Sequence, residues 1–325
     1  MSVPVLDVHL SDTDAADALH HDARIGLSAE PKWLPPKWFY DARGSDLFEQ
    51  ITVLPEYYPT RTERELLRRS AGEIAGHAPV DTLVELGSGS SEKTRLLLDA
   101  FTVAGSLRRF VPLDVSESAL RSAMAAVAQE YPRLEVHGVV GDFTRHLELL
   151  PSGQSGGRLV AFLGGTIGNL LPADRARFLT ALRAVLEPGE LLLLGVGLVV
   201  DPTVLVPAYD DAAGVTAEFN RNVLHVLNRE LGADFDVAAF DHVAVWNSER
   251  EWIEMRLRAR RAMSVWLPAL DLTVRFAEGE EILTEVSGKF RRDGLATELA
   301  EYGFAECACW TDPDDRFALV LAAAN

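Results

Sequence analysis

Glu85-Leu86-Gly87-Ser88-Gly89-Ser90-Ser91 is the stretch that sets the fold class of this chain. Residues 81–86 read as a short apolar strand, the glycines as a turn, and residues 92–101 as a helix. A strand running into Gly-x-Gly lets backbone approach a ligand closely, because glycine has no Cβ and accepts positive φ. Several nucleotide binders share that pattern, and the flanking residues narrow the choice. A dinucleotide fingerprint needs a third glycine where this chain has Glu92. A P-loop needs a glycine at the same place, and a carboxylate there would face the phosphates. Residues Gly87 to Thr94 match that motif in every other respect.

Outward from this turn, strands alternate with helices. Strands are expected over 109–113, 134–140, 158–163 and 191–196, and helices over 118–130 and 173–186, the last stopped by Pro188-Gly189. Gly87 to Asp114 is 27 residues, Asp114 to Asp142 is 28, and Asp142 to Asn169 is 27. Each interval is one strand–helix unit, so the four points fall at the carboxyl ends of parallel strands. Open α/β sheets bind ligands at that edge. Asp114 can accept from both ribose hydroxyls, and Asp142 from an adenine amino group with Phe143 lining the ring. The glycine turn suits the amino-acid part of S-adenosylmethionine (SAM). The loop Asn169-Leu170-Leu171-Pro172 lacks the Asn-Pro-Pro-Tyr signature of amide and base methylation. A helix over 294–301 and strands over 307–310 and 317–321 would add a terminal antiparallel hairpin. The expected fold is α/β: a class I SAM-methyltransferase doubly wound sheet with that hairpin, plus a second α+β domain.

The second domain comes from what does not fit the rhythm. Residues 1–61 are rich in proline and aromatics, with an N-terminal helix expected around His20-His21 and another from Thr60 or Thr62 towards His77. Residues 201–285 mix helices, one over 217–230, with antiparallel strands such as 252–260. The expected boundaries are 62–198 and 288–325 for a SAM-binding domain, and 1–61 and 199–287 for a substrate-binding domain.

Composition limits the partners. The 325 residues carry 31 Lys and Arg against 49 Asp and Glu, a net charge of −18, which disfavours nucleic acid and polyanionic substrates. A small amine or amino acid is compatible. The longest apolar run, 191–200, is broken by Gly195 and Gly197 and is too short to span a bilayer. The acidic N-terminus is unlike a signal peptide. Cys307 and Cys309, one residue apart, should share a strand face and make no disulfide framework, which fits a reducing cytoplasm. The eight histidines show no metal-ligand spacing, so no metal site is expected.

Longer motifs are more specific than Gly-x-Gly. The stretches Leu34 to Asp41, Leu54 to Glu63, Glu85 to Thr94, Gly165 to Asn169, Ala208 to Ala217 and Leu283 to Ser287 resemble the histidine-specific Nα-methyltransferases of ergothioneine biosynthesis. The resemblance covers nearly the whole chain. It implies a two-domain, cytoplasmic, monomeric enzyme that methylates the α-amino group of L-histidine three times. The products would be hercynine and three S-adenosylhomocysteine (SAH). By motif match, Asn169 and Tyr209 should hold the substrate carboxylate, and Glu285 and Ser287 should face the imidazole. Tyr40 and Tyr57 should lie near the reacting amine, Tyr57 also near the imidazole, and Met255 should line the side-chain pocket. Gly87, Lys93, Asp114, Asp142 and Phe143 should contact SAM.

The chemistry is consistent with these residues. A sulfonium methyl is already activated, so the transfer needs no metal. The amine must first lose its proton, to a tyrosine or to an ordered water. Glu285 is the residue on which substrate choice turns, because a carboxylate can accept from an imidazole N–H. Three other readings compete: methylation of another small amine such as a tryptophan derivative, a catalytically silent SAM-binding scaffold, and a nicotinamide dehydrogenase. Loss of Glu285 or Ser287 would favour the first, and loss of Asp114, Asn169 or Tyr209 the second; all five are present. Glu92 speaks against the third.

Overall fold

The strand Thr82–Leu86 is buried along its whole length and lies in the middle of an eight-stranded sheet. The computed structural model describes residues 4–77, 79–153 and 156–325, apart from the side chain of Asp12. It divides into two units: Met1–Ser11, Thr62–Leu198 and Phe290–Asn325 in the first, Asp12–Arg61 and Val199–Lys289 in the second.

In the first unit the sheet runs in the order Val5–Val8, Glu135–Val140, Arg109–Asp114, Thr82–Leu86, Arg158–Phe162, Leu191–Gly197, Phe317–Ala324, Phe304–Thr311. All pairs are parallel up to Leu191–Gly197, and the last two strands form the expected antiparallel hairpin. The central strands are near-continuous apolar runs because both faces are covered. On one face Leu83, Phe110 and Val136 pack with Leu67, Ile74, Leu98, Phe101, Leu120 and Met124 from the helices. On the other, Val84, Val111 and Val160 pack with Phe178, Leu179, Leu182, Leu295 and Leu299. Strand order reverses beside Thr82–Leu86, which makes the end of that strand the switch point of a doubly wound sheet.

Some boundaries differ from the sequence reading. Residues 1–61 were expected to lie outside the sheet, yet Val5–Val8 pairs with Glu135–Val140, Leu6 lying opposite Gly138. Room is made by Gly138, where an added Cβ would sit 2.3 Å from Met124 Sδ. Four residues at a sheet edge, mostly exposed, carry too little alternation to be read as a strand. The helix after the glycine turn begins at Arg95, not at residue 92. Ser91 takes φ 52°, and the Thr94 hydroxyl is given to Glu85, so the turn runs longer. Cys307 and Cys309 do not share an environment. A register shift between Glu306 and Ala308 breaks the alternation, leaving Cys307 exposed while Cys309 packs against the core.

In the second unit a four-stranded sheet runs Lys32–Trp33, Glu281–Gly288, Trp252–Ala259, Phe240–Asn247, accompanied by a separate ribbon of Met263–Leu267 and Leu272–Phe276. The helix Val215–Leu231 contributes Phe219, Val223, Leu224 and Leu227 to one core with Ile253, Leu257, Phe240 and Ile282. Asn222 of this helix donates to Phe39 O (3.0 Å) and Asp41 Oδ1 (2.7 Å), and Arg229 donates to Asp41 Oδ2 (2.9 Å). The segment carrying Tyr40 is therefore clamped on both sides.

Candidate active site

In the first unit the glycine turn is held open by backbone conformation. Gly87 has φ 69° and Gly89 φ 48°, and a Cβ added at either would meet nothing within 4 Å. Chain direction requires glycine here, and the space above both residues is open. Asp114, at the end of Arg109–Asp114, accepts from Gly89 N through Oδ2 (2.9 Å) and from Ser116 N through Oδ1 (2.9 Å). Burial raises its carboxyl above the usual range, with these backbone donors pulling the other way. Each carboxylate oxygen keeps a second lone pair, so two vicinal hydroxyls can still be received. Asp142 is tied by Thr144, whose N–H and hydroxyl both donate to Oδ1 (2.8 and 2.6 Å). Phe143 packs edge-on against Phe162 at 5.0 Å and Phe178 at 6.0 Å. Glycine cradle, strand-end carboxylate and adjacent aromatic suit the amino acid, ribose and adenine parts of SAM in turn.

Lys93 ion-pairs with Glu63, which is fully buried and also accepts from Gly164 N at 2.7 Å. The glycine at 195 makes room for that carboxylate, since a Cβ there would lie 1.9 Å from Glu63 Oε1. One donor of Lys93 is thus committed within the protein. Glu85 is buried at the strand end, where burial pushes its carboxyl up to about 7 against the pull of Thr94 and Ser91. Asn169 closes the short 3-10 turn Thr166–Asn169 that follows the strand Arg158–Phe162.

In the second unit the strand Glu281–Gly288 carries most of the remaining expected residues. Glu285, Ser287 and Lys289 alternate and so share a face. Lys289 N donates to Glu251 O (2.8 Å), continuing the pairing past Gly288. A register shift between Leu283 and Glu285 sets Glu285 opposite Met255. Bulges of this kind re-aim side chains at functional sites. Tyr209 ends the helix Pro202–Tyr209, and its hydroxyl lies 2.8 Å from Ser287 Oγ. Lys289 Nζ donates to Tyr209 Oη (2.8 Å) and to Ser287 Oγ (2.7 Å). All four polar side chains are buried, as is Met255. Burial pushes the Glu285 carboxyl up to about 7 and the Lys289 ammonium down to about 7, each opposed by attraction to the other. Burial also raises the Tyr209 phenol, which stays protonated.

Tyr57 lies edge-on to Tyr209, ring centres 6.2 Å apart. Phe48 links Tyr57 (6.3 Å) to Tyr40 (5.6 Å), and Phe219 packs on Tyr40 at 5.4 Å. The structure thus brings Tyr40, Tyr57, Tyr209, Met255, Glu285 and Ser287 into one unit, and Gly87, Lys93, Asp114, Asp142, Phe143 and Asn169 into the other.

Several contributors were not singled out from sequence. Behind the strand, Thr284 Oγ lies 2.7 Å from Asn220 Oδ1, and Asn220 Nδ2 lies 2.8 Å from His242 Nδ1. His242 Nε2 lies 2.8 Å from Tyr209 O. A carbonyl only accepts, so Nε2 carries the proton and Nδ1 accepts from the amide. Burial holds this imidazole below its ordinary range, in agreement with a neutral ring. The chain Thr284–Asn220–His242 couples the backbone of Tyr209 to the bulge beside Glu285. Nothing in the sequence marks a lone histidine 33 residues from its partner. Lys289 was not singled out either, although its spacing of two from Ser287 and four from Glu285 is the signal that could have placed it with them.

The model of the family described as histidine-specific, SAM-dependent methyltransferase matches residues 19–324. A histidine N-alpha-methyltransferase of Mycolicibacterium smegmatis is 61% identical, covering 97% of both chains. One of Mycobacterium tuberculosis is 58% identical over 97% of this chain and 98% of its own. Ergothioneine biosynthesis protein 1 of Neurospora crassa is 36% identical over 70% of this chain and 27% of its own. With a family model covering nearly its whole length and two relatives this similar, the chain belongs to the SAM-dependent, histidine-specific methyltransferases.

Proposed function

We propose that this enzyme transfers three methyl groups from SAM to the α-amino nitrogen of L-histidine, yielding hercynine and three SAH in ergothioneine biosynthesis. The observation that carries the reading is the buried face of Glu285, Ser287 and Lys289 with the Tyr209 hydroxyl. It offers a carboxylate acceptor for a ring N–H and the Tyr209 hydroxyl as a donor for a carboxylate, which is the polar complement of histidine. The name and similarity of the mycobacterial relatives support the same substrate.

Bound SAM would supply a methyl group already activated on sulfur, and Gly87, Lys93, Asp114, Asp142 and Phe143 are the residues proposed to hold it. The remaining work falls to positioning. Holding an amine lone pair in line at near-attack distance supplies roughly 7–11 kcal/mol. Asn169 and Tyr209 are assigned to the carboxylate, Glu285 and Ser287 to the imidazole, and Met255 to the ring's apolar face. Tyr40 and Tyr57 are assigned to the amine. Their aromatic faces, with Phe48, would also receive the growing methylammonium cation. The first unit is assigned to SAM and the second to substrate.

A monomer in a reducing cytoplasm completes the proposal, in keeping with the free thiols of Cys307 and Cys309. Among the described residues no helix is long and apolar enough to cross a membrane. The test is label transfer from methyl-labelled SAM to histidine. Label in a trimethylated product supports the reading, and label only in other acceptors removes it.

A further inference from the structure

The cluster around Lys289 has a proton count that decides what it can recognise. An ammonium carries three donors and no acceptor. Two of them go to Tyr209 Oη at 2.8 Å and Ser287 Oγ at 2.7 Å. Neither hydroxyl can then direct its own proton at Lys289. Tyr209 and Ser287 are 2.8 Å apart, so one hydroxyl proton is used between them. The other must leave the triangle. With Lys289 protonated, the cluster therefore presents one outward O–H backed by a buried positive charge 4.9 Å from the Tyr209 ring centre. Remove the cation and the constraint goes too: each oxygen regains a lone pair, and no rule keeps a proton pointing outward.

We propose that Lys289 is a positioning and specificity-determining residue, which, with Ser287 donating to Tyr209, orients the Tyr209 hydroxyl as an outward donor and supplies the countercharge for the substrate's carboxylate. It acts through Tyr209 and Ser287. The proposal rests on the reading that Tyr209 meets that carboxylate. It adds a division of labour along one strand: Glu285 and Ser287 face the ring that donates N–H, and Lys289 stands behind Tyr209, which faces the anion. An analogue of histidine without its carboxylate should gain nothing from Lys289.

The experiment is calorimetric titration of SAH-loaded enzyme with L-histidine and with L-histidinol, in which a hydroxymethyl replaces the carboxylate. The wild type is expected to prefer histidine. In Lys289→Met, histidine binding should fall by at least about 30-fold, as for a buried hydrogen-bonded charge that loses its partner, while histidinol binding stays within about threefold, a shift of the size a single lost neutral hydrogen bond causes. Lys289→Arg should restore part of the preference, since it keeps the charge. Circular dichroism and thermal melting report folding of each variant, and Lys289→Gln, uncharged but still a donor, replaces the methionine variant if that one does not fold. Equal losses for both ligands, or no loss for histidine, would overturn the role of Lys289. A wild type that binds histidine and histidinol equally would instead remove the underlying assignment of Tyr209 to the carboxylate, and the proposal with it.

Discussion

Glu285 and Lys289 lie four residues apart on one buried strand face, and burial drives their acidities together, the carboxyl up to about 7 and the ammonium down to about 7. In the free protein each pays for desolvation and each is partly relieved by the other. Substrate that brings an N–H to one and an anion to the Tyr209 hydroxyl held by the other would satisfy both.

Stability should therefore depend on pH in opposite senses for the two residues. The folded carboxyl of Glu285 is raised, so its contribution is full below pH 4.5 and is lost as pH rises through about 7. The ammonium of Lys289 is depressed, so its contribution is full above pH 10.5 and is lost as pH falls through about 7. Thermal melts of ligand-free protein check this. The melting temperature of Glu285→Gln relative to wild type should climb between pH 6 and 8, and that of Lys289→Met relative to wild type should drop over the same interval. The Glu285 effect is bounded by about 3 kcal/mol, from a shift of 4.5 to about 7. Slopes of the same sign would contradict the assignment of these groups.

Substrate selectivity should collapse at Glu285. Glu285→Ala is expected to raise KM for histidine roughly 10- to 100-fold, the range for a buried polar group that loses its partner. SAH affinity should change by less than about threefold, within the cost of a single neutral hydrogen bond. Steady-state kinetics paired with SAH titration separates the two. Equal losses for both ligands would mean that the substitution damages the fold.

On the cofactor side, Asp114 is the residue to vary. Its two oxygens accept from Gly89 and Ser116, and an amide nitrogen in place of one oxygen would face a backbone N–H donor to donor. Asp114→Asn should weaken SAH binding about tenfold or more, as expected when a charged acceptor is lost. Fluorescence or calorimetric titration reads this directly. Unchanged SAH affinity would remove Asp114 from the ribose position.

Glu63 should matter for the stability of the first unit. Its carboxylate joins Lys93 and Gly164 N inside space left by Gly195. Glu63→Ala leaves an ammonium and an amide without their partner, and on the order of 3 kcal/mol of stability should be lost. Denaturant unfolding measures it; a loss below about 0.5 kcal/mol would place Glu63 among ordinary surface carboxylates.

Much of this was readable from one chain because it rests on periodicity and spacing. The βα intervals between Gly87, Asp114, Asp142 and Asn169 located one sheet edge, and the apolar strands between them are buried on both faces. Glu285, Ser287 and Tyr209 were named through the motifs shared with the family, and Lys289, two residues beyond Ser287, was passed over. What was not readable depends on distant pairing. Val5–Val8 joins the sheet only because Gly138 makes room across 132 residues. His242 becomes a support for Tyr209 only once Asn220 and Thr284 fix its tautomer. Cys307 and Cys309 part company through one bulge. Single residues without a period leave no local signal, however much the packed structure depends on them.

The most direct measurement is mass spectrometry of a reaction holding the enzyme, SAM and an equimolar mixture of the common amino acids with tryptamine-like amines. One to three added methyl groups are expected on histidine alone, with the trimethylated form accumulating and SAH rising in step. Methyl groups on tryptophan derivatives with histidine untouched would keep the fold and the cofactor but contradict the pocket built around Glu285, Ser287 and Tyr209.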